Sequence, residues 1–513
     1  MDATETLPDN VSSIPISDDI AIKIRAQSHH MLGNVPYDIF LMIVFSCWKG
    51  GNDDGHSKFP ITASHVCRTW RRYALDTGAF WASLEFRQAR PHGAIMKYKV
   101  WLERARGSPL DIFIGFQPFK GASVKHAKSI MRLIMPHVSH WRSFQVDRVP
   151  KKISRLIFDR LRDVSAPMLE VLKMFGERHR RIFQGLTTTT CKLKPFINGE
   201  ASNSNLKELT VVGFPHNYFV TRFTRLQVFQ LTQFDFFGAG TMENVKSIQH
   251  ILVSLPNLHT LHIDCYRPIP ENHRSSSSLT TLPTRISHPF LTELWIYLPK
   301  ADRDAILSSL DLPRVRFFLT RMQVETALGI DLLPPLSQYH PFSNLVSLRL
   351  SGSYSDFAAW GLNIGISDPS SQMHLTHLEG ALTGLPLLQA LTFDQVDFEG
   401  GKWLICLGTT CPRLHWLTFT RCGGCTLEQI RTIVEARRKK HGFDALARLL
   451  IEQWSTGNFI KIDQGTDEWL KNSLIYGITH TVDNLNRDSY LSVVEKLKPS
   501  ALLTGINPRS SRR

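Results

Sequence analysis

One short phrase of apolar positions recurs along most of the chain. "SNLKELTVVGF" begins at Ser204, "FTRLQVFQL" at Phe223, "LPNLHTLHI" at Leu255, "HPFLTELWI" at His288 and "LPRVRFFLT" at Leu312. "FSNLVSLRL" follows at Phe342, "LPLLQALTF" at Leu385 and "CPRLHWLTF" at Cys411, while "APMLEVLKM" from Ala166 and "SHWRSFQV" from Ser139 are earlier, weaker copies. The shared form is P-x-L-x-x-L-x-L with substitutions. Its last two apolar positions, such as Leu417 and Phe419, are two apart and therefore share one face of a strand. A unit this small cannot bury its apolar face alone, so neighbouring copies must stack. The spacing is irregular: Leu206 to Leu226 is 20 residues, Leu258 to Leu291 is 33, and Leu345 to Leu388 is 43, which leaves room for an insertion or a missed copy. Segments between copies, such as "RDAILSSL", read as helices. The pattern predicts an α/β solenoid with parallel strands on the concave side and helices outside; a helical-repeat solenoid is the alternative.

The N-terminal pattern is different. Residues 1–30 are polar and read as a flexible leader. Pro36 suits a first helical turn, Asp38 favours its positive end, and Ile39, Met42, Ile43 and Cys47 follow at helical spacing. "KGGNDDGHSK", 49–58, breaks this helix as a loop. In "HVCRTWRRYALDTGAFWASL", 65–84, Val66, Trp70 and Ala74 form an apolar stripe on an arginine-rich helix. The expected organisation is the leader, a small helical module over 31–86, the solenoid over 87–440, a capping region over 441–505 and a loose basic tail over 506–513.

Charge adds a question about partners. The 513 residues carry 60 Lys+Arg against 45 Asp+Glu, a net charge of +15. Fifteen Lys/Arg against five Asp/Glu fall between Lys120 and Arg181. Such a region attracts nucleic acid, a phosphorylated protein or an acidic partner, or is a solvated face. Phe144, Phe158, Phe175 and Phe183 are interleaved there at core-like spacing, so packing is favoured over nucleic-acid stacking, and nucleic acid is the less favoured partner. Arg437–Lys440 reads as a solvated helix end, or else as a nuclear address. The longest apolar run, Ile39 to Trp48, is too short to span a bilayer, and the acidic first twenty residues oppose a secretion signal. These features point to an intracellular protein, cytoplasmic or nuclear, with reduced thiols and no membrane contact.

Catalytic and cofactor chemistry find no support. Cys406, Cys411, Cys422 and Cys425 fall within twenty residues, but the repeat phrase explains Cys411 and Cys422 as small buried apolar groups. "GGNDDGHS" has the glycines of a phosphate loop with His56 in place of lysine, and Asp53 and Asp54 would repel phosphate. Neither H-E-x-x-H nor G-x-S-x-G occurs. The expectation is a non-enzyme without metal or cofactor.

"CPRLHWLTFTRCGGCTLEQI", Cys411 to Ile430, resembles the cysteine-containing type of leucine-rich repeat, with Cys411, Pro412, Leu414, Leu417, Phe419 and Cys422 in its positions. "NVPYDIFLMIVFSC" and "SHVCRTWRRYALDTGAFWASL" together resemble an F-box of the kind common in large fungal families. Val35 and Pro36 stand for its Leu-Pro, Asp38 for its acid, and Ile39 and Ile43 match. Val66, Cys67, Arg68, Trp70, Arg71 and Ala74 match its second part, Trp81 and Leu84 its third. Val35, Tyr73 and the ten-residue insertion depart from it. The resemblance implies a substrate-recognition subunit of a cullin-RING ubiquitin ligase. Val35, Pro36, Ile39, Ile43, Val66 and Trp70 would dock a Skp-type adaptor and thereby a cullin. The solenoid would bind a protein substrate, acidic or phosphorylated, through residues the sequence does not identify. Six such side chains, fully buried, supply about 9–18 kcal/mol before association costs; Trp81 and Leu84 read as core or junction. A non-ligase interaction scaffold with a degenerate F-box and a basic nucleic-acid binder are the alternatives.

Overall fold

The computed structural model describes residues 35–50, 59–87, 91–115, 124–161 and 164–176, with most strand, helix and turn segments between 205 and 481. The expected leader, most of the loop at 49–58, Phe183 and the basic tail lie outside the described residues. The chain divides into two compact units, Met1–Ile157 and Phe158–Arg513.

The first unit opens with helices α1 (Tyr37–Gly50), α2 (Phe59–Ser64) and α3 (Arg68–Asp76). A 3₁₀ turn, Gly78–Trp81, leads into β1 (Ser83–Phe86). Then come α4 (Pro91–Ala105), β2 (Leu110–Gly115), α5 (Val124–Ile134), β3 (Trp141–Val149) and the start of α6 (Lys151–Leu161). The three strands are parallel in the order β1-β2-β3, and the buried Leu84, Ile112 and Phe144 occupy one row. A separate module ending at 86 is not shown, and the first unit runs on to Ile157. Leu84 and Phe86 alternate as strand residues, β1 pairs with β2, and Trp81 meets Trp101 of α4 edge to face at 5.4 Å. Gly78 permits this junction: a Cβ there would lie 2.5 Å from the Ala105 carbonyl oxygen.

The second unit is a parallel sheet built from the repeated phrase. Its strands are β4 (Val171–Gly176), β5 (Glu208–Val212), β6 (Val228–Thr232), β7 (Thr260–Asp264), β9 (Glu293–Tyr297), β11 (Phe317–Arg321), β14 (Ser347–Ser351), β15 (Ala390–Asp394), β16 (Trp416–Thr420), β17 (Arg448–Trp454) and β18 (Ile475–Thr481), in that spatial order; β8 (Ile286–Ser287) pairs with β10 (Leu310–Asp311), and β12 (Val324–Thr326) with β13 (Gly329–Ile330), outside this sheet. Helices α7 (Thr241–Ser254), α8 (Lys300–Ser309), α9 (Leu427–His441) and α10 (Gln464–Ser473) lie in the connections. Along the large sheet the register never slips from β4 to β18 among the described residues. Leu209, Phe229, Leu261, Leu294, Phe318 and Leu348 form one row, which continues through Leu391 and Leu417 to Leu449. All of these side chains are buried.

The P-x-L half of the phrase is a turn. The anchor N–H of Leu258, Val315, Leu345, Leu388 and Leu414 donates to the carbonyl three residues earlier, at 3.0–3.2 Å. Proline at the second position presets the φ this turn needs. Asparagines stitch turn to turn: Asn205 Nδ2 donates to Pro167 O at 2.8 Å, Asn257 to Thr224 O at 2.7 Å, and Asn344 to Pro313 O at 2.8 Å.

Two features of the C-terminal part go beyond the sequence expectation. Direct pairing of β14 with β15 makes the 43-residue spacing an insertion rather than a missed strand. Past residue 440 the sheet continues: "LARLLI" repeats the phrase, with Leu446, Leu449 and Ile451 buried, and β18 pairs beyond it. Arg437 is likewise no solvated helix end. It is fully buried, and its guanidinium donates to Leu407 O (2.6 Å), Thr410 O (2.7 Å), Cys411 O (2.8 Å) and Leu414 O (3.3 Å). It thereby clamps the turn before β16, where Cys411 holds a left-handed φ of 48°. Arg437→Met leaves those carbonyls unpaired and should cost about 3–5 kcal/mol in urea unfolding. Lys439→Ala, on the exposed side of the same helix, should stay within about 0.5 kcal/mol.

On the sheet face opposite the leucines, His262 lies beside Trp295 and Tyr297, with ring centroids 5.1 and 5.8 Å away. Burial pushes its pKa down to about 3. The folded chain holds this imidazole neutral, whereas the unfolded chain takes up a proton near pH 6.5. Its contribution is present above pH 6.5 and is lost as pH falls towards 3, by about 2 kcal/mol between pH 7 and 5. His262→Gln should remove that portion of the acid sensitivity, measured by unfolding at the two pH values.

Candidate functional site

α1 is apolar on two opposite sides. Phe40 and Val44 are fully buried. The Phe40 ring is the hub of a cluster: Trp70 lies 4.9 Å away edge-on, Tyr73 5.4 Å and Phe80 5.9 Å. Local bonds fix the frame around it. Phe40 N–H donates to Pro36 O at 2.9 Å, starting the helix. Cys67 Sγ caps α3 by accepting from Trp70 N–H at 3.4 Å. Thr77 Oγ1 donates to Tyr73 O and lies 2.9 Å from Tyr37 Oη, tying the end of α3 to the start of α1. Trp81 Nε1 donates to Ala74 O at 2.7 Å.

The other side of α1 faces water. Ile39, Met42 and Ile43 are 46%, 66% and 40% exposed, at i, i+3 and i+4 on one stripe. Tyr37, Phe45 and Ile61 of α2 are partly exposed as well, although Tyr37 lies on the Phe40 side with its ring 5.1 Å from Tyr73, and the Phe45 ring is 5.9 Å from Phe80. Six of the twelve large apolar side chains found exposed among the described residues thus fall between Tyr37 and Ile61. Single surface hydrophobics need no explanation, whereas six within one stretch make this a candidate interaction surface.

The six residues singled out from sequence divide. Ile39, Ile43 and Pro36 are exposed, Val35 and Val66 are half-buried, and Trp70 is 8% exposed with its ring against Phe40. Trp70 therefore belongs to the module's own core, because its stripe on α3 is the one that α1 covers. Phe45 and Ile61 were missed. Phe45 lies off the i, i+3, i+4 stripe, and Ile61 sits in the six-residue α2, too short to show a helical period.

The cysteine cluster offers no comparable site. Cys406, Cys411, Cys422 and Cys425 are buried and unbridged. Cys411 Sγ donates to Leu382 O at 3.3 Å and Cys422 Sγ to Phe393 O at 3.4 Å. Burial pushes the Cys406 thiol up to about 12 and Cys411 up to about 11, so both are neutral thiols at pH 7. Among the described residues no group of three or more His, Cys, Asp or Glu is arranged to hold a metal ion, and no helix is long and apolar enough to cross a membrane.

No family model and no curated protein matches this chain. Among solved structures, the crystal structure of the Rad7 and Elc1 complex in yeast contains a similar chain. The alignment covers 93% of this chain and 100% of that one, at 13% identity and a TM-score of 0.34. That distant likeness carries no argument about function.

The two sides of α1 predict opposite mutational outcomes. Phe40→Ala should destabilise by about 3–5 kcal/mol in chemical unfolding. Met42→Ala should change stability by less than about 0.5 kcal/mol, because its side chain packs against little.

Proposed function

We propose that this protein is a non-catalytic substrate receptor of a cullin-RING ubiquitin ligase. The observation that carries the reading is the outward stripe of Ile39, Met42 and Ile43, set on the segment that resembles an F-box. A Skp-type adaptor covers this stripe and brings the cullin with it. The repeat sheet of the second unit takes a protein substrate.

The energetics restrict the interface. The six apolar side chains between Tyr37 and Ile61 are about half exposed, so covering them yields roughly 4–9 kcal/mol, half of what full burial would give. Association itself costs at least several kcal/mol. Contacts beyond the stripe, from Val35, Pro36 and Val66, are therefore part of a stable complex.

The test is recovery of adaptor and cullin on the tagged full-length chain from native lysate. Both are expected with the wild type, and both should be lost with Ile39→Asp/Ile43→Asp while the melting temperature of the chain stays unchanged. Equal recovery with the double variant sinks the docking assignment. Adaptor without cullin means an interaction scaffold rather than a ligase subunit.

A further inference from the structure

The first unit separates its charges by element. Helices α4, α5 and α6 as far as Ile157 carry three Lys/Arg each, nine in all, and Glu103 is their one acid. The strands between them hold Glu85, Asp111 and Asp147 against Arg142 and Arg148. In the second unit α7 has Glu243 against Lys246, α8 has two acids against two bases and α10 has two acids against one base, whereas α9 is basic, with five Lys/Arg against two Glu, one of the five being the buried Arg437. Within the first unit the basic excess is thus carried by the helices rather than by the strands.

On α5, Lys125, Lys128 and Arg132 are all exposed, opposite the buried Ala127, Ile130, Met131 and Ile134. Lys125 and Arg132 are seven residues apart, about 10 Å along the helix axis. Lys152 and Arg155 are exposed on α6, which continues into the second unit with the exposed Asp159 and Arg160 and ends at Leu161. Lys97 and Arg104 of α4 are engaged differently, over the Trp101 and Trp81 rings at 4.3 and 4.5 Å.

What these faces lack decides between anionic partners. No large apolar side chain is exposed among the described residues of α5 and α6. A protein interface draws its affinity from buried apolar and aromatic anchors with charges at the rim. A phosphate backbone requires none, because its binding is driven by release of condensed counterions. Phe144 and Phe158 are buried, so no ring is offered for stacking an unpaired base.

We infer that the outward faces of α5 and α6 bind the phosphate backbone of duplex nucleic acid without reading its sequence. This activity is separate from adaptor docking on α1 and does not depend on it.

The experiment uses the full-length chain and a fluorescein-labelled duplex DNA of mixed sequence, about 20 bp long, followed by anisotropy from about 50 to 200 mM salt. Binding should weaken linearly in log–log form. Lys125→Ala/Lys128→Ala/Arg132→Ala should weaken it at least about tenfold at 0.1 M salt and flatten the slope by about 2–3. Lys246→Ala on α7 serves as the charge control and should leave both unchanged, and circular dichroism melting should be the same for all three proteins. Absence of binding at the lowest salt overturns the inference, as does a triple variant that binds like the wild type. A poly-glutamate chain of matching charge that binds more tightly than the duplex, and is lost in the triple variant, would assign the face to an acidic protein and overturn it too.

Discussion

A five-residue strand with two inward apolar side chains cannot shield them by itself, and the second unit is the consequence of that constraint. Each copy of the phrase presents one strand, and only the next strand, at the same register, completes the row its leucines need. A slip of one residue would turn the whole row to the opposite face, so register is fixed as strongly as burial itself. The turn before each strand supports this. Proline narrows the backbone where the chain bends, and Asn205, Asn257 and Asn344 bond to the preceding turn, so that the strand starts are held level. Helix length and loop length are then free to vary between copies, which is why the 43-residue spacing leaves the sheet intact.

The same logic explains how much of this architecture was legible beforehand. Period-two apolar pairs after a P-x-L turn were visible wherever the phrase was clear, and strands stand at every copy that was read. β17 escaped because "LARLLI" lacks the proline and follows a basic helix end, although Leu446, Leu449 and Ile451 keep the spacing. β18 escaped because it has no anchor of its own; its place depends on β17 offering an open edge. Arg437 was misread for a different reason. A run of four basic residues looks solvated in one dimension, and only the helix rotation, together with four carbonyls converging on one turn, turns one of them inward.

For the first unit the limit was more instructive. Helical periodicity says which residues share a stripe, but not which stripe is covered. On α3 a single apolar stripe exists, so Trp70 had to be core once α1 packed on it. On α1 nearly every position is apolar, and sequence pattern alone cannot choose between the side of Phe40 and the side of Ile39. The choice follows from where the aromatic partners lie: Trp70, Tyr73 and Phe80 converge on Phe40, and nothing equivalent meets Met42.

An exposed apolar stripe carries a cost for the free protein, since it invites self-association. The stripe persists although Phe40 already supplies the helix with a complete inner face, so folding of the unit does not require it. Replacing Ile39 or Met42 with a polar residue would improve solubility without loss of packing, and a sequence shaped by folding alone would tend that way. Cationic helices later in the same unit act in the opposite sense, because net charge keeps copies of the chain apart in solution. The two features make different demands on a partner: shape and desolvation at α1, charge alone at α5 and α6. One surface should therefore be sensitive to a single apolar-to-charged change and indifferent to salt, while the other should respond to salt and tolerate loss of any one lysine.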